Sequence, residues 1–260
     1  MRFVSLASGS KGNCYYLASE AGALLIDCGI SLKRLEAGIR QQQGSMAALS
    51  GIFITHEHRD HISGLGPLLR RYHLPCYGTP ATLDALEERV VGKIDRSLLH
   101  PLLEEAIEIA DLTVRWTRTS HDAADPVSYQ IHAKDKKIGM LTDCGRLSDD
   151  NLAALEDSDL LLLEANHDRQ MLADGPYPLS LKRRIASDHG HLSNDSCALA
   201  LPELIGSRTQ HVVLAHLSEK NNLPSRAFHT VYDQLKATPP LGTRFRLWVA
   251  QQKETLALTL

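Results

Sequence analysis

The chain has 260 residues, 43% of them hydrophobic, 23% charged and 5% aromatic, the balance of a soluble globular protein with a mostly aliphatic core in one domain spanning 1–260. A formal net charge of −3 excludes a globally basic nucleic-acid glove but leaves room for a local basic patch. Cys14, Cys28, Cys76, Cys144 and Cys197 are odd in number and lack CxxC spacing, which argues against a disulfide framework or a thiolate zinc site and for a reducing, cytoplasmic setting. No run reaches the roughly 20 apolar residues of a membrane span and the first residues carry no signal-peptide pattern, so no membrane partner is expected.

In chain order, residues 3–6 and 14–17 read as strands separated by the small-residue turn 8–13. After a turn at 20–22, residues 23–27 form a continuous apolar strand of the kind buried on both faces. The spacing of Leu32, Leu35 and Ile39 predicts a helix over 31–42 capped by Ser31. Residues 51–55 form the next buried strand, followed by a helix over 65–72, a short strand at 75–78 and a helix over 79–91 with Pro80 in its first turn. Strands are expected at 107–109, 112–117, 127–133, 137–142, 160–164, 212–215 and 244–249, and helices at 149–155, 195–204 and 225–236. The longest irregular stretch is 173–194, and long ordered loops in compact domains tend to be functional. No internal repeat, low-complexity tract or linker is found.

The strand 51–55 runs directly into Thr55-His56-Glu57-His58-Arg59-Asp60-His61. Imidazoles and carboxylates without thiolates suit a borderline divalent ion such as Zn²⁺, Mn²⁺ or Fe²⁺. In an extended loop, side chains two apart project to one side, so His56 and His58 can share an ion while Asp60 and His61 turn toward another. His121, Asp143 and His216 each follow a later strand-like run and can reach the same sheet rim.

These residues resemble the signature of the metallo-β-lactamase superfamily, HxHxDH followed by a later His, a later Asp and a final His. The resemblance implies a four-layer αββα sandwich with two divalent metal ions at one edge of its sheets. It puts one ion on His56, His58 and His121 and the second on Asp60, His61 and His216, with Asp143 and a hydroxide bridging them. Such a pair makes hydroxide available near neutral pH and stabilises charge on the attacked centre. Asp60 has a second expected role as a catalytic residue, orienting the attacking hydroxide.

Asp143 narrows the substrate, because the zinc β-lactamases carry Cys at the corresponding position. Cys144, adjacent to it, is expected to point the other way and to be structural. Gly190-His191-Leu192-Ser193-Asn194 opens a helix and resembles the tRNase Z branch, which implies His191 as a general acid near the scissile phosphate; His189 is the weaker candidate. The segments 6–14, 163–168, 177–179, 190–194 and 216–222 resemble the YycJ/WalJ group. That resemblance implies a 5′-to-3′ exonuclease acting on DNA rather than RNA, without the extra domain of RNase J-type nucleases. For contacts to a nucleic-acid substrate the expectation falls on Ser8, Ser10, Lys11 and Asn13, in a loop whose backbone N–H groups can cradle an anion, and on His167. Lys182-Arg183-Arg184 is read as a solvated helix face that can also meet a phosphate backbone. Asp27 is expected to support a ligating histidine, and Asp122 to hold His121 or bond the backbone of its loop. The competing function is a small-molecule metallohydrolase acting on a thioester, lactone or cyclic phosphodiester; a non-enzymatic metal-binding regulator is the third.

Overall fold

A computed structural model describes residues 1–90, 92–237 and 244–260. The first half supplies β1 (Arg2–Ala7), β2 (Cys14–Ala18), β3 (Ala23–Ile26), α1 (Leu32–Gln41), β4 (Leu49–Phe53), the short α2 (Arg59–Ile62), α3 (Leu65–Tyr72), β5 (Cys76–Gly78), α4 (Pro80–Arg89) and β6 (Leu99–Pro101). The second supplies β7 (Ala106–Ile109), β8 (Leu112–Arg118), β9 (Val127–Ala133), β10 (Lys136–Leu141), α5 (Asp149–Leu155) and β11 (Leu160–Glu164). It continues with α6 (Arg169–Asp174), α7 (Leu179–Ile185), α8 (Asn194–Leu204), β12 (His211–Ala215), α9 (Pro224–Ala237), β13 (Arg246–Val249) and β14 (Leu256–Thr259).

The strands form two seven-stranded sheets, ordered β14-β1-β2-β3-β4-β5-β6 and β13-β12-β11-β10-β9-β8-β7. Side-chain alternation along the uninterrupted apolar strands explains how the layers stack. Leu24 and Ile26 of β3 face the space between the sheets with Leu160 and Leu162 of β11 and Val213 of β12. The alternate residues Ala23 and Leu25 instead pack outward with Leu35 and Ile39 of α1, Leu68 of α3 and Leu86 of α4. On the far side, Leu161, Leu163, Val212 and Leu214 pack with Leu155 of α5, Leu201 of α8 and Val231 of α9. The result is the four-layer αββα sandwich expected from the sequence.

Several boundaries differ, and the differences have local causes. The strand expected over 23–27 stops at Ile26 because Asp27 turns into the left-handed region, φ 60°, and its carboxylate accepts from the Thr55 N–H at 2.8 Å. Thr55 is thereby drawn off the ladder, so the strand expected over 51–55 ends at Phe53. The stretch 173–194 is less irregular than expected: it holds the end of α6, capped by Asp168 through the Met171 N–H, and the whole of α7. Two edge strands lacked a clear alternation in the sequence, β6 beside β5 and β14 beside β1. The helix expected over 79–91 is α4, capped by Thr79; Val91 lies outside the described residues. Among the described residues no helix is long and apolar enough to cross a membrane.

Candidate metal centre

The carboxyl ends of β3 and β4, which run parallel, and of β10, β11 and β12, also mutually parallel, meet at one rim. The two sheets are joined there by the Val127 N–H donating to Thr55 O at 3.0 Å. Three residues at this rim occupy the left-handed region that disfavours a β-carbon: Asp27, Asp143 at φ 56° and His216 at φ 55°. Such strain persists where the surrounding structure holds it, and it gathers at functional sites. His56 and His58 lie in the segment after β4, and Asp60 and His61 on α2 rather than in an extended loop. The α2 turn is clamped by backbone bonds from Asn13 N to Asp60 O at 2.8 Å and from Cys28 N to His61 O at 2.7 Å. A β-carbon at Gly29 would come within 1.6 Å of Asp60 O, so glycine is required for this approach.

Fixed hydrogen bonds orient the imidazoles. His61 Nδ1 donates to Asp27 Oδ2 at 2.7 Å, His216 Nδ1 to Glu164 Oε1 at 2.8 Å, and His121 Nδ1 to Gly190 O at 3.0 Å. His56 Nδ1 is 3.0 Å from Thr55 Oγ1, whose own hydroxyl donates to Asp27. These bonds leave Nε2 of each ring as the nitrogen that faces the rim, while His58 presents Nδ1, 3.3 Å from His121 Nε2. Asp143 brings carboxylate oxygens to 3.2 Å from His61 Nε2 and 3.7 Å from His121 Nε2. Asp60 Oδ2 lies 3.3 Å from His216 Nε2 and 3.4 Å from His61 Nε2. His56, His58 and His121 form one group of convergent donor atoms, Asp60, His61 and His216 a second, and His56, His61 and Asp143 a third between them.

This donor set fits divalent cations. His56 Nε2 and Asp143 Oδ2 are buried yet make no hydrogen bond, and buried polar atoms of that kind call for a partner. His58 Nδ1 and His121 Nε2 face each other closely enough to share a proton or a cation. Burial holds His56 and His58 below the usual imidazole range. Burial also opposes charge on His61 and His216, but Asp143 and the further carboxylates around each ring together outweigh it and raise both. Burial likewise opposes ionisation of Asp143, yet His216 and His61 hold its carboxyl well below the ordinary range. The centre thus demands positive charge, which protons or metal ions can provide.

Glu164 was not singled out by the sequence reading, although it closes the apolar strand β11 just as Asp27 follows β3; an acid ending an all-leucine run was the available signal. It is fully buried, and its Oε1 receives both His216 Nδ1 and His191 Nδ1, the latter at 2.9 Å. Its Oε2 accepts the N–H groups of Cys144 and Leu192, each at 3.0 Å. Asp143, Glu164, His191 and His216 also make a compact group of donor atoms. With both Glu164 oxygens doubly engaged, that group is a hydrogen-bond hub. Cys144 points away, its Sγ toward Arg146 O at 3.1 Å, and burial pushes the thiol up to about 12, so it is no thiolate ligand.

The loop expected to contact substrate is arranged differently from that reading. The N–H groups of Ser8, Gly9, Lys11, Gly12 and Asn13 all have protein partners, so the loop is not an anion cradle. Ser8 is buried, bonded to Tyr15 and to the His216 N–H. Asn13 is buried with its amide 3.2 Å from Asp60 Oδ2 and 3.0 Å from His61 Nε2, where it positions those side chains. Lys11 is exposed and paired with Glu219; of the four, Ser10 alone lines the roughly 200 Å³ cavity over the metal centre. His167 lies outside that cavity, and His189 is exposed, 3.2 Å from Ser120 Oγ. Arg184 lines it and pairs with Asp122, which also lies 3.4 Å from His121 Nε2.

Because Asp27 fixes the His61 tautomer, Asp27→Asn is expected to weaken metal binding by roughly 10–100-fold, the usual consequence of removing a carboxylate behind a ligating imidazole. Metal titration followed by competition with a chelator measures it, and unchanged affinity would count against the orientation argument.

An αββα sandwich with a His/carboxylate cluster at the rim of both sheets defines a metal-dependent hydrolase. A family model described as a beta-lactamase superfamily domain matches residues 23–217. The chain is 40% identical over 238 residues to a Bacillus anthracis protein named exodeoxyribonuclease YycJ, covering 91% of this chain and 89% of that one. It is 37% identical over 261 residues to a Streptococcus pneumoniae protein named exodeoxyribonuclease WalJ, covering 99% and 97%. The metallo-beta-lactamase fold protein YhfI from Bacillus subtilis superposes with a TM-score of 0.70 at 18% identity, over 98% of this chain and 99% of that one. The chain belongs to the beta-lactamase superfamily, in the group that contains YycJ and WalJ.

Proposed function

We propose that this hydrolase is a dinuclear-metal-dependent phosphodiesterase that removes nucleotides from DNA in the 5′-to-3′ direction in the cytoplasm, with residues 1–260 working as one domain. The observation that carries the reading is the convergence of His56, His58, His121, Asp60, His61, His216 and Asp143 on one rim, with His191 beside them. The names of the relatives at 37% and 40% identity support nucleic acid as the substrate. Pairing of β14 with β1 supports a single domain, since the two ends of the chain share a sheet.

His56, His58 and His121 would hold one ion, Asp60, His61 and His216 the other, and Asp143 would lie between them. Zn²⁺ suits these donors, and Mn²⁺ and Fe²⁺ accept the same set. When bound, such a pair lowers the pKa of water and stabilises charge developing on a phosphoryl group. Asp60, in addition to ligation, would orient the attacking water; its side chain is 24% exposed and lines the cavity. His191 keeps its Nδ1 proton on Glu164, which leaves Nε2 free to donate to the departing oxygen. Burial opposes charge on His191, but Glu164, with Asp143, outweighs it and raises its pKa, which favours the protonated ring that a general acid needs.

The test is degradation of 5′-labelled single-stranded and duplex DNA, with matched RNA, by protein loaded with Zn²⁺ or Mn²⁺. Labelled mononucleotide should be released from DNA, release should stop on chelation, and it should return when metal is restored. Turnover of a thioester or lactone without cutting of DNA or RNA would overturn the reading.

A further inference from the structure

Beside the metal cavity lies a second, larger one of about 620 Å³, and the two share His191. It is bounded by α6, α7 and the start of α8; α7 and the end of α6 lie in the stretch expected to be irregular. Its chemistry is divided. Arg169, Lys182 and Arg183 give it positive charge, and among the described residues no carboxylate lines it. Leu172 and Leu179 give it apolar surface, and Leu179 is 63% exposed. His167 also lines the cavity; the residue is 2% exposed, and its Nδ1 is buried without a hydrogen-bond partner. Arg169 is held over the opening of α8 by Ser193 Oγ at 3.3 Å and Ser196 Oγ at 3.4 Å, and it lies 3.6 Å from Asp195.

Building on the phosphodiesterase reading, we propose that this cavity is a subsite for one nucleoside monophosphate unit, the terminal nucleotide of the strand cut at the metal centre. Cations beside an apolar wall match the two halves of a mononucleotide, phosphate and base, whereas a pocket for inorganic phosphate needs no leucine wall. Its volume is within the roughly 300–1,000 Å³ of small-ligand pockets and suits one nucleotide rather than an oligomer. A base face packed against apolar side chains tolerates any sequence, and a cationic rim tracks the backbone. A terminal unit beyond His191 would place the bond joining it to the next nucleotide over the metal cavity, which accounts for cutting from an end.

The test is calorimetric titration of the metal-loaded protein with deoxyadenosine 5′-monophosphate, inorganic phosphate and deoxyadenosine. The wild-type chain should bind the mononucleotide at one site and at least tenfold more tightly than either fragment. Lys182→Glu combined with Arg183→Glu, which reverses charge, and Ala186→Trp, which fills the space, should each weaken it tenfold or more. Metal content and thermal midpoint confirm that each variant is folded, and the charge reversal decides alone if the tryptophan disturbs packing. Mononucleotide affinity unchanged in the charge-reversed variant, or matched by inorganic phosphate, overturns the subsite. Oligonucleotide degradation by the wild-type chain is scored separately. Degradation without mononucleotide binding rejects the subsite and leaves the nuclease reading, and binding without degradation does the reverse.

Discussion

Asp143→Asn should deplete bound metal and lower phosphodiester hydrolysis on the order of 10³-fold or more, the scale set by several kcal/mol of lost charge stabilisation. The substitution is chosen because it keeps the fold. Asn, like Asp, tolerates the left-handed conformation that residue 143 adopts at φ 56°, and its volume matches a buried site. The change removes the charge and turns one acceptor oxygen into a donor, and that charge faces His61, His121 and His216 within 3.2 to 3.7 Å. Without it the rim keeps its imidazoles but loses the carboxylate that lies between the two groups of donor atoms. Elemental analysis of the purified variant and its rate on labelled DNA measure the effect. A variant that keeps its full metal content and more than a tenth of the activity would remove Asp143 from the proposed centre.

How much of this was legible in the sequence depends on the range of the interaction. The layer order was readable because β3, β11 and β12 are apolar without a break, which only strands covered on both faces sustain. The donor residues were readable because His56, His58, Asp60 and His61 lie within six positions and the others follow strands whose ends share a rim. The supports behind the donors were less so. Asp27 was recognisable as an acid ending an apolar strand, while Glu164, in the same position on the other sheet, was passed over although it bonds two imidazoles. Asn13 reads as a loop residue that meets substrate, yet it is buried against Asp60 and His61 of α2, nearly 50 residues away, and Ser8 of the same loop bonds the His216 N–H more than 200 residues away. Pairings at such separation have no local period to announce them. The second cavity was hidden for the same reason: α6 and α7 are short, their apolar residues are few, and the pocket arises only where they fold back beside His191.

His191→Ala should slow release of nucleotides by roughly 10²–10⁴-fold, the range typical of a lost general acid, while leaving metal content intact. The separation of the two effects follows from the hydrogen bonds. His191 Nδ1 is 2.9 Å from Glu164 Oε1, and the same oxygen receives His216 Nδ1 at 2.8 Å. Removing His191 therefore leaves Glu164 bonded to His216 and to two backbone N–H groups, so the neighbouring ligand keeps its orientation. What is lost is an imidazole whose ring centre lies 5.0 Å and 5.3 Å from those of His121 and His216, and which lines both cavities. An acid matters in proportion to the basicity of the group that leaves. The loss should accordingly be large on DNA, where a sugar alkoxide departs, and much smaller on bis(p-nitrophenyl) phosphate, whose phenolate needs no proton. Equal losses on both substrates, or metal lost with the imidazole, would make His191 a support of the centre rather than its proton donor.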